Sequence, residues 1–599
     1  MRKLKYGLME ADTMKINVNM LVDIFRESMK NIFGFLSNVF DFTGIYIIFA
    51  HWMLPLLAII IFFRCTSTLF KGRNENNIWG YLGMMDGSRV PIRHWENSIG
   101  RSKLSDIVIP LVFVSRNHGV LAFDGKDWSI YDIGSKGGIK VNGNKIEQQE
   151  KVKYGDVISL GGAEVVLFVD EAKIERQIQK EKKVAASSSN MSTGVTFIMI
   201  ILFQIISCTQ MYLSGRDALN KIIPFTFFIF IIVELLYYFI IRLFSRKHFE
   251  LELLVYFLCG INLLVVSSYN PNALFKQLAA IFIGMIAYTL MLIFLQDLRA
   301  ARKLKYVLAA AGLIFLILNL TIGETRYGAQ NWINLGFVTF QPLEFVKISF
   351  VIAGAATLDR LLTTKNLTAF ILYSGACIGV LILIRDLGTA VIFFGAFLVI
   401  AFMRSGDLRT IALICSGAAI GAMAVIYLMP YIASRFAAWG KAWENVDSTG
   451  YQQTRTMIAA ASGGLLGVGG GNGYLVNIPA ADTDLVFGLI CEEWGLLIAI
   501  ITVLSIVCLG VFVALLTDKC RSAFYCISAC GAASIFLIQV ALNVFGSLDI
   551  FPLTGVTLPF VSNGGSSMIS SWGLLAFIKS ADERIRPGKT NYKNKKVGI

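Results

Sequence analysis

The sequence predicts an all-α polytopic membrane protein, about twelve spans plus one N-terminal span, with an all-β sandwich inserted on its cytoplasmic side. Three observations predict it. Hydrophobic residues make up 55% of the 599 residues and charged residues only 16%, against roughly 25% in soluble domains. Apolar runs of spanning length recur from Gly194 onward. Between residues 80 and 170 the pattern changes to short alternating runs separated by Gly, Asn and Asp.

Residues 1–42 are mixed and weakly amphipathic. A first span occupies 43–65; it lies far from the N-terminus and lacks a small-residue cleavage site, so it reads as an anchor rather than a cleaved signal. The β region, 80–170, carries runs such as Asp106–Pro110, Val120–Phe123 and Trp128–Tyr131. Residues 171–193, first charged and then Ser-rich, read as a linker. The polytopic region covers 194–580. Its spans are expected near 194–213, 222–243, 251–268, 273–295, 306–322, 343–359, 367–384, 388–404, 409–430, 485–516, 522–546 and 560–579. A basic tail, 581–599, follows.

Arg and Lys concentrate in every second loop, around Arg242–Lys247, Arg299–Lys305, Arg360–Lys365, Arg404–Arg409 and Lys519–Arg521. The positive-inside rule makes these loops and the tail cytoplasmic, together with the β region. It leaves 323–342, 431–484 and 547–559 outside. The net charge of +14 therefore reads as loops facing anionic lipid, not as a nucleic-acid surface. Ten cysteines form no CxxC pair and imply neither disulfide nor zinc. The four histidines end at His248, which excludes Ser-His-Asp chemistry from the main membrane region. Glycine is dense from Ser462 to Gly473 in the long outer loop; this allows close backbone approach to a ligand, or a flexible lid.

Five segments, in order, resemble the SEDS family (FtsW/RodA/SpoVE). They are Gly328–Gly336 with Gln341–Lys347; Asp386–Ala390; Gly450-Tyr451-Gln452 with the Gly-rich run; Asp482–Phe487 with Glu492–Gly495; and Pro552–Ser567. Departures from the family pattern are Asn331, Arg385, Asp482 and Asn563. Two spans before residue 300 are additional to the family core. The resemblance implies a peptidoglycan glycosyltransferase that polymerises lipid II (undecaprenyl-pyrophosphate-linked disaccharide-pentapeptide) outside the cytoplasmic membrane, in division, elongation or sporulation. It also implies a class B penicillin-binding protein as partner and assistance by a divalent cation, Mg²⁺ or Mn²⁺, although no metal motif is visible.

Transfer from a diphosphate-linked lipid needs no protein acid, because the leaving group is already good. It needs a base for the acceptor hydroxyl and positive charge for the diphosphate. Without histidine the base is a carboxylate. The resemblance puts the family's essential aspartate on Asp484, which also ends the longest outer loop. The alternative is that Asp482 or Asp484 only caps the following helix. Trp332, Gln341, Glu344, Lys347, Arg455, Asp482 and Ser566 are the substrate-binding candidates. Against this, Glu344 and Lys347 at i, i+3 can simply pair, Trp332 can be an interfacial anchor, and the Ser562–Ser567 glycines can serve helix packing. Arg326, Arg435 and Lys441 are further outer cations.

In the β region, Gly100-Arg101, Ser115–His118, Asp132–Gly138 and Val141–Gly143 resemble the FHA pattern. That implies a phosphothreonine protein as partner, with Arg101, Ser115, Arg116 and Asn142 at the phosphopeptide and His118 supporting the loop. The family's peptide-holding Asn is Gly137 here. Two other readings stand beside polymerisation: a lipid-linked precursor flippase, and an FHA-bearing membrane scaffold.

Overall fold

The computed structural model describes residues 42–70, 80–93, 96–102, 105–116, 118–123, 127–132, 134–147, 149–168, 190–214, 220–243, 248–295, 298–326, 329–334, 336, 339–357, 364–406, 408–517 and 523–582. The N-terminal segment to residue 41, linker residues 171–189 and the tail from 583 lie outside the described residues.

Helix α1 (Phe42–Phe70) opens the chain. Its buried stripe, Ala50, Leu54, Ala58, Ile61, Cys65 and Leu69, repeats at helical spacing, while Ile48, Trp52 and Phe63 face outward. The sandwich follows, with β1 (Gly80–Met84), β2 (Arg89–Ile92), β3 (Glu96–Gly100), β4 (Ile107–Val108), β5 (Gly119–Phe123), β6 (Trp128–Asp132), β7 (Ile139–Val141), β8 (Asn144–Lys145), β9 (Gln149–Val152), β10 (Val157–Leu160) and β11 (Ala163–Phe168). One sheet runs β2-β1-β11-β10-β7-β8 and the other β4-β3-β5-β6-β9, with β3 and β4 parallel. Inward residues such as Leu82, Ile99, Leu121, Ile130 and Leu167 make a core separate from that of the helices.

The membrane region contains α2 (Asn190–Ser214), α3 (Ile222–Leu243), α4 (Glu250–Tyr269), α5 (Leu274–Phe294) and α6 (Leu298–Ile322). A small antiparallel sheet follows, β12 (Glu324–Arg326), β13 (Ala329–Asn334) and β14 (Thr339–Phe340). Then come α7 (Pro342–Thr357), α8 (Thr364–Ile384), α9 (Leu387–Ser405), α10 (Leu408–Leu428), α11 (Pro430–Ala438), α12 (Tyr451–Gly463), α13 (Val486–Leu516), α14 (Ala523–Ser547) and α15 (Gly565–Ala581). Every expected span coincides with a helix. The count differs: among the described residues eight helices are long and apolar enough to cross a membrane, and others, such as α7 and α15, have only 16 and 17 residues. The last span also begins later than the expected 560, because residues 560–564 form the turn into α15. The linker is shorter than expected, since α2 already starts at Asn190.

Side-chain bonds set the helix directions. Tyr46 OH donates to Ile206 O at 2.8 Å and Arg64 Nε to Thr196 Oγ1 at 3.2 Å, so α1 and α2 are antiparallel and the sandwich hangs from their shared end. At that same end Phe197 of α2 stacks on Tyr238 of α3, and Phe249, just before α4, packs on Tyr238. Helix α4 crosses to the far end, where Asn262 Nδ2 donates to the carbonyls of Val561 and Ser562 at 2.8 and 2.9 Å. Helix α15 returns. Its Lys579 Nζ meets Glu252 Oε2 at 2.7 Å, and Tyr288 OH donates to the other Glu252 oxygen at 2.6 Å. Both charged side chains are nearly sealed from solvent, at 3% and 4% exposure.

Burying one charge without its partner is far costlier than burying the pair. Lys579→Met is therefore expected to destabilise the protein by about 3 kcal/mol. Adding Glu252→Gln should recover most of that loss in melting curves of the detergent-solubilised protein.

Candidate functional site

The end of the bundle opposite the insertion is organised by one turn. Ala480, in the left-handed region at φ 63°, offers its carbonyl to the N–H groups of Thr483, Asp484 and Leu485 at 3.2, 3.0 and 3.2 Å. The chain then enters α13. The helix is capped by Leu485 with no side-chain cap bond, so neither aspartate serves as the cap.

The two aspartates differ. Asp482 is buried and occupied: Asn563 donates its N–H to the Asp482 carbonyl at 2.8 Å and its Nδ2 to Oδ2 at 2.7 Å. Asp484 is half-buried, its carboxylate lying against Gly555, where a Cβ would sit 3.3 Å from Oδ2. Gly555 also has φ 72°, a conformation open to glycine but strained for other residues. Burial is the main reason the Asp484 carboxyl is pushed up to about 6. The Thr483 hydroxyl opposes this, Asp482 adds to it, the Arg435 guanidinium opposes it and Asp386 adds to it. Burial likewise raises Asp482, with Asn563 opposing.

Other segments close around Asp484. Asn543, buried on α14, donates Nδ2 to the carbonyls of Val556 at 2.7 Å and Asp484 at 3.1 Å. Ser562 Oγ donates to Thr483 O at 2.6 Å and accepts from Leu558 N at 2.8 Å. Asp386 caps α9 through Thr389 N at 2.9 Å, and Asn331 on β13 reaches its other oxygen at 3.4 Å. Gly388, at the start of α9, packs so closely on Val556 that a Cβ would lie 2.5 Å from it. Arg435, at the end of α11, donates to Leu553 O at 3.3 Å. Asp484 thus lies within electrostatic reach of Asp482, Asp386 and the Arg435 guanidinium.

The remaining candidates divide. Gln341 N donates to Ser566 Oγ at 3.1 Å, so those two meet at the junction of β14 and α15. Glu344 and Lys347 form their own buried pair at 2.8 Å. Trp332 is half-buried on β13, beside Asn331. Arg455 lies over the ring of Tyr451, one turn back on α12, 5.2 Å from its centroid. The cation whose charge reaches Asp484 is instead Arg435. Asn543 was not among the sequence candidates; a lone amide inside an apolar helix was its only signal.

The glycine-rich run brings its backbone close to a helix. It clasps α13. Val468 and Gly469 donate to the carbonyls of Glu492 and Glu493 at 2.8 and 3.0 Å, and Leu496 donates to Gly464 O at 3.0 Å. The Glu492 carboxylate accepts from Tyr474 N and Leu475 N at 2.9 and 2.8 Å. Helix α13 breaks at Gly495 (φ 88°) to let the clasp in.

The comparisons follow this geometry. Residues 239–586 match the FtsW/RodA/SpoVE family model, described as cell cycle protein. The chain belongs to the FtsW/RodA/SpoVE family. Among its relatives, the peptidoglycan glycosyltransferase RodA of Mycobacterium tuberculosis is 30% identical over 344 residues, covering 53% of this chain and 72% of that one. The probable peptidoglycan glycosyltransferase FtsW of Bacillus subtilis is 28% identical over 398 residues, covering 57% and 94%. The crystal structure of Thermus thermophilus RodA is similar at 27% identity, over 55% of this chain and 95% of that one, with TM-score 0.41. Residues 97–161 match the FHA domain model. A domain solved for phosphothreonine-dependent FHA interactions is 30% identical over 15% of this chain and 96% of its own, with TM-score 0.15. Helices α1, α2 and most of α3 precede the FtsW/RodA/SpoVE match, and α1 and α2 pack against its helices. Cys65 on α1 lies near Cys508 on α13, and Gln210 and Met211 on α2 touch the glycine clasp.

In the FHA domain, Arg101 N donates to Ser115 O and Ser102 N to Arg116 O, each at 3.0 Å, which brings Arg101, Ser115 and Arg116 to one rim. His118 supports that rim from within: Ser115 N–H donates to Nδ1 at 3.0 Å, leaving the ring proton on Nε2 to meet Gly138 O at 3.1 Å. Ser115 Oγ accepts from Lys136 N at 3.0 Å. Asn142 sits elsewhere in its bonding: its amide joins Asp156 Oδ1 and Val157 N, both at 2.9 Å, and fixes the β7–β8 turn.

Because Gly467 (φ 90°) packs where a Cβ would fall 2.3 Å from Glu493 O, Gly467→Ala is expected to unseat the clasp. Melting of the purified variant should show a loss of about 2 kcal/mol, in line with overpacked interiors.

Proposed function

We propose that the chain is a peptidoglycan glycosyltransferase that polymerises lipid II into glycan strands at the outer face of the cytoplasmic membrane, with Asp484 as general base. One observation carries the residue assignment. Asp484 is the carboxylate at this end of the bundle that caps nothing, sits half out of water and faces a guanidinium. Family membership supports the reaction.

In this reading Asp484 takes the proton of the acceptor sugar hydroxyl. The oxygen attacks the anomeric carbon from the face opposite the diphosphate. The carbon–oxygen bond to the carrier breaks, and the lipid diphosphate leaves with the electron pair, so the anomeric configuration inverts. Arg435 stands ready to take up charge on the departing group. Gln341, Ser566 and Trp332 are proposed to contact the saccharide or diphosphate. Among the described residues no three His, Cys, Asp or Glu side chains gather into a ligand set. A Mg²⁺ or Mn²⁺ ion would therefore take mainly diphosphate and water oxygens, as Mg²⁺ prefers.

The loop charges support a cytoplasmic FHA domain, at the opposite end from Asp484. By the FHA resemblance that domain takes a phosphothreonine protein, and by family the chain assembles with a class B penicillin-binding protein. A flippase draws less support, because Glu492, which with Arg385 would line its path through the bilayer, is already held by two backbone N–H groups.

Reconstitution with lipid II tests the assignment. Asp484→Asn should lower the polymerisation rate at least about a hundredfold; full activity would overturn it. The pH profile has a definite sign. A base must be deprotonated, so activity should fall as pH drops through about 6, where Asp484 gains its proton. The same rate measured between pH 5 and pH 8 checks this.

A further inference from the structure

Helix α11 carries Arg435 but is too short to hold it in place by itself. It has nine residues, fewer than an isolated helix needs for stability. Helix α10, which leads into it, has no buried residue among those described and gives it little support. The anchoring comes from the turn after α14. Trp439 Nε1 donates to Ile550 O at 2.9 Å, and Arg435 itself donates to Leu553 O. Asp549 does the most. Its Oδ1 accepts from Gly440 N at 3.1 Å and its Oδ2 from Ala442 N at 3.0 Å. Gln453 Nε2, on α12, donates to the same Oδ1 and to Gly546 O, both at 3.1 Å. One carboxylate thus ties the exit of α11 to α12 and to the turn after α14.

Two features specify this residue. Its backbone lies at φ 61°, a region that most side chains avoid and that Asp and Asn enter more readily. Such a conformation persists where the surroundings over-determine it. The second feature is the donor count. Three N–H groups converge on two oxygens. A carboxylate accepts all three; an Asn amide, whichever way it turns, points its NH₂ at one of the backbone donors. Residues 440–442 also have little freedom to move. At Gly450, just before α12, a Cβ would lie 2.3 Å from Ala442 O.

We infer that Asp549 is a positioning residue for glycosyl transfer: it holds α11 so that the Arg435 guanidinium stays beside Asp484. The inference rests on the reading of Asp484 as base and Arg435 as its neighbouring cation. Asp549 acts through Arg435 and needs no contact with substrate. The charged groups that bear on Asp484 are Asp482, Asp386 and Arg435, and of these three Arg435 alone is a cation. With Arg435 displaced, burial and two carboxylates act on Asp484 with no cation against them. Its proton is then held to higher pH.

Lipid II polymerisation by the full-length protein in nanodiscs tests it, using Asp549→Asn, Arg435→Gln and the double variant. Asn tolerates the same φ, so the first change removes the carboxylate without straining the turn. Asp549→Asn should lower kcat about tenfold, leave KM within about twofold, and move the acid limb of the pH profile to higher pH. In the Arg435→Gln background the same change should cost less than about twofold. Wild-type kinetics in Asp549→Asn overturn the inference. A tenfold loss that persists in the Arg435→Gln background also overturns it, as does a loss with an unmoved acid limb, since each marks a purely structural residue. If Asp549→Asn does not fold, hydrogen exchange on the wild type decides: the Gly440 and Ala442 amides should be protected, and free exchange overturns the inference. Full activity of Asp484→Asn, with the coupling of positions 549 and 435 intact, overturns the base assignment and not the inference. No polymerisation by the wild type overturns both.

Discussion

A single buried amide holds the reactive end of this protein together. Asn543 reaches from α14 to two carbonyls that belong to different segments, one at Asp484 and one at Val556. Neither segment is helical at that point, so neither carbonyl has a helical hydrogen bond of its own. The amide satisfies both and so fixes the distance between the end of the long loop and the Gly555 turn. Ser562 and Asn563 repeat the device from the other side, bonding Thr483 and Asp482. Asp482 is thereby tied to Asn563, while the Asp484 carboxylate lies against Gly555. The two carboxylates, one residue apart, thus sit in different surroundings.

The same logic governs the rest of the bundle. Several charges within it are matched in place: Lys579 with Glu252, Lys347 with Glu344, and Glu492 with two backbone N–H groups. These fixed pairs make rigid elements, and a rigid frame is what a catalytic carboxylate requires. The glycine clasp adds to the rigidity by locking the loop onto α13 through backbone bonds. Density of glycine here means close packing of backbone against backbone, not mobility.

Much of this was legible in the sequence, for reasons of solvent and periodicity. Apolar runs forced the helices, and alternation forced the sandwich, since each pattern is a direct response to burial. Asp484 stood out because it ended the longest loop and matched a family motif. Contacts between distant residues were not legible. Nothing local tells that Arg435 rather than Arg455 bears on Asp484, because that depends on how α11 and α12 fold back. Asn142 looked like a ligand residue in its Asn-Gly turn, yet its amide is taken by Asp156 and Val157 on strands brought alongside only by the sheet. Span number was not legible, because helices wrapped by their neighbours, such as α15, can be shorter than lipid-exposed ones. The Gly137 departure was visible, but its cause, the close backbone crossing with Gly161, needed the fold.

The antiparallel hairpin of α1 and α2 has an evolutionary corollary. Strands β1 and β11 are neighbours, so the sandwich begins and ends at nearly one spot, and the hairpin it interrupts is already zipped by Tyr46 and Arg64. A cassette of that kind can be spliced in or out of the turn without rerouting any other strand or helix. The same membrane machine can therefore be fitted with a different sensor, or with none, by exchanging what fills a single bend.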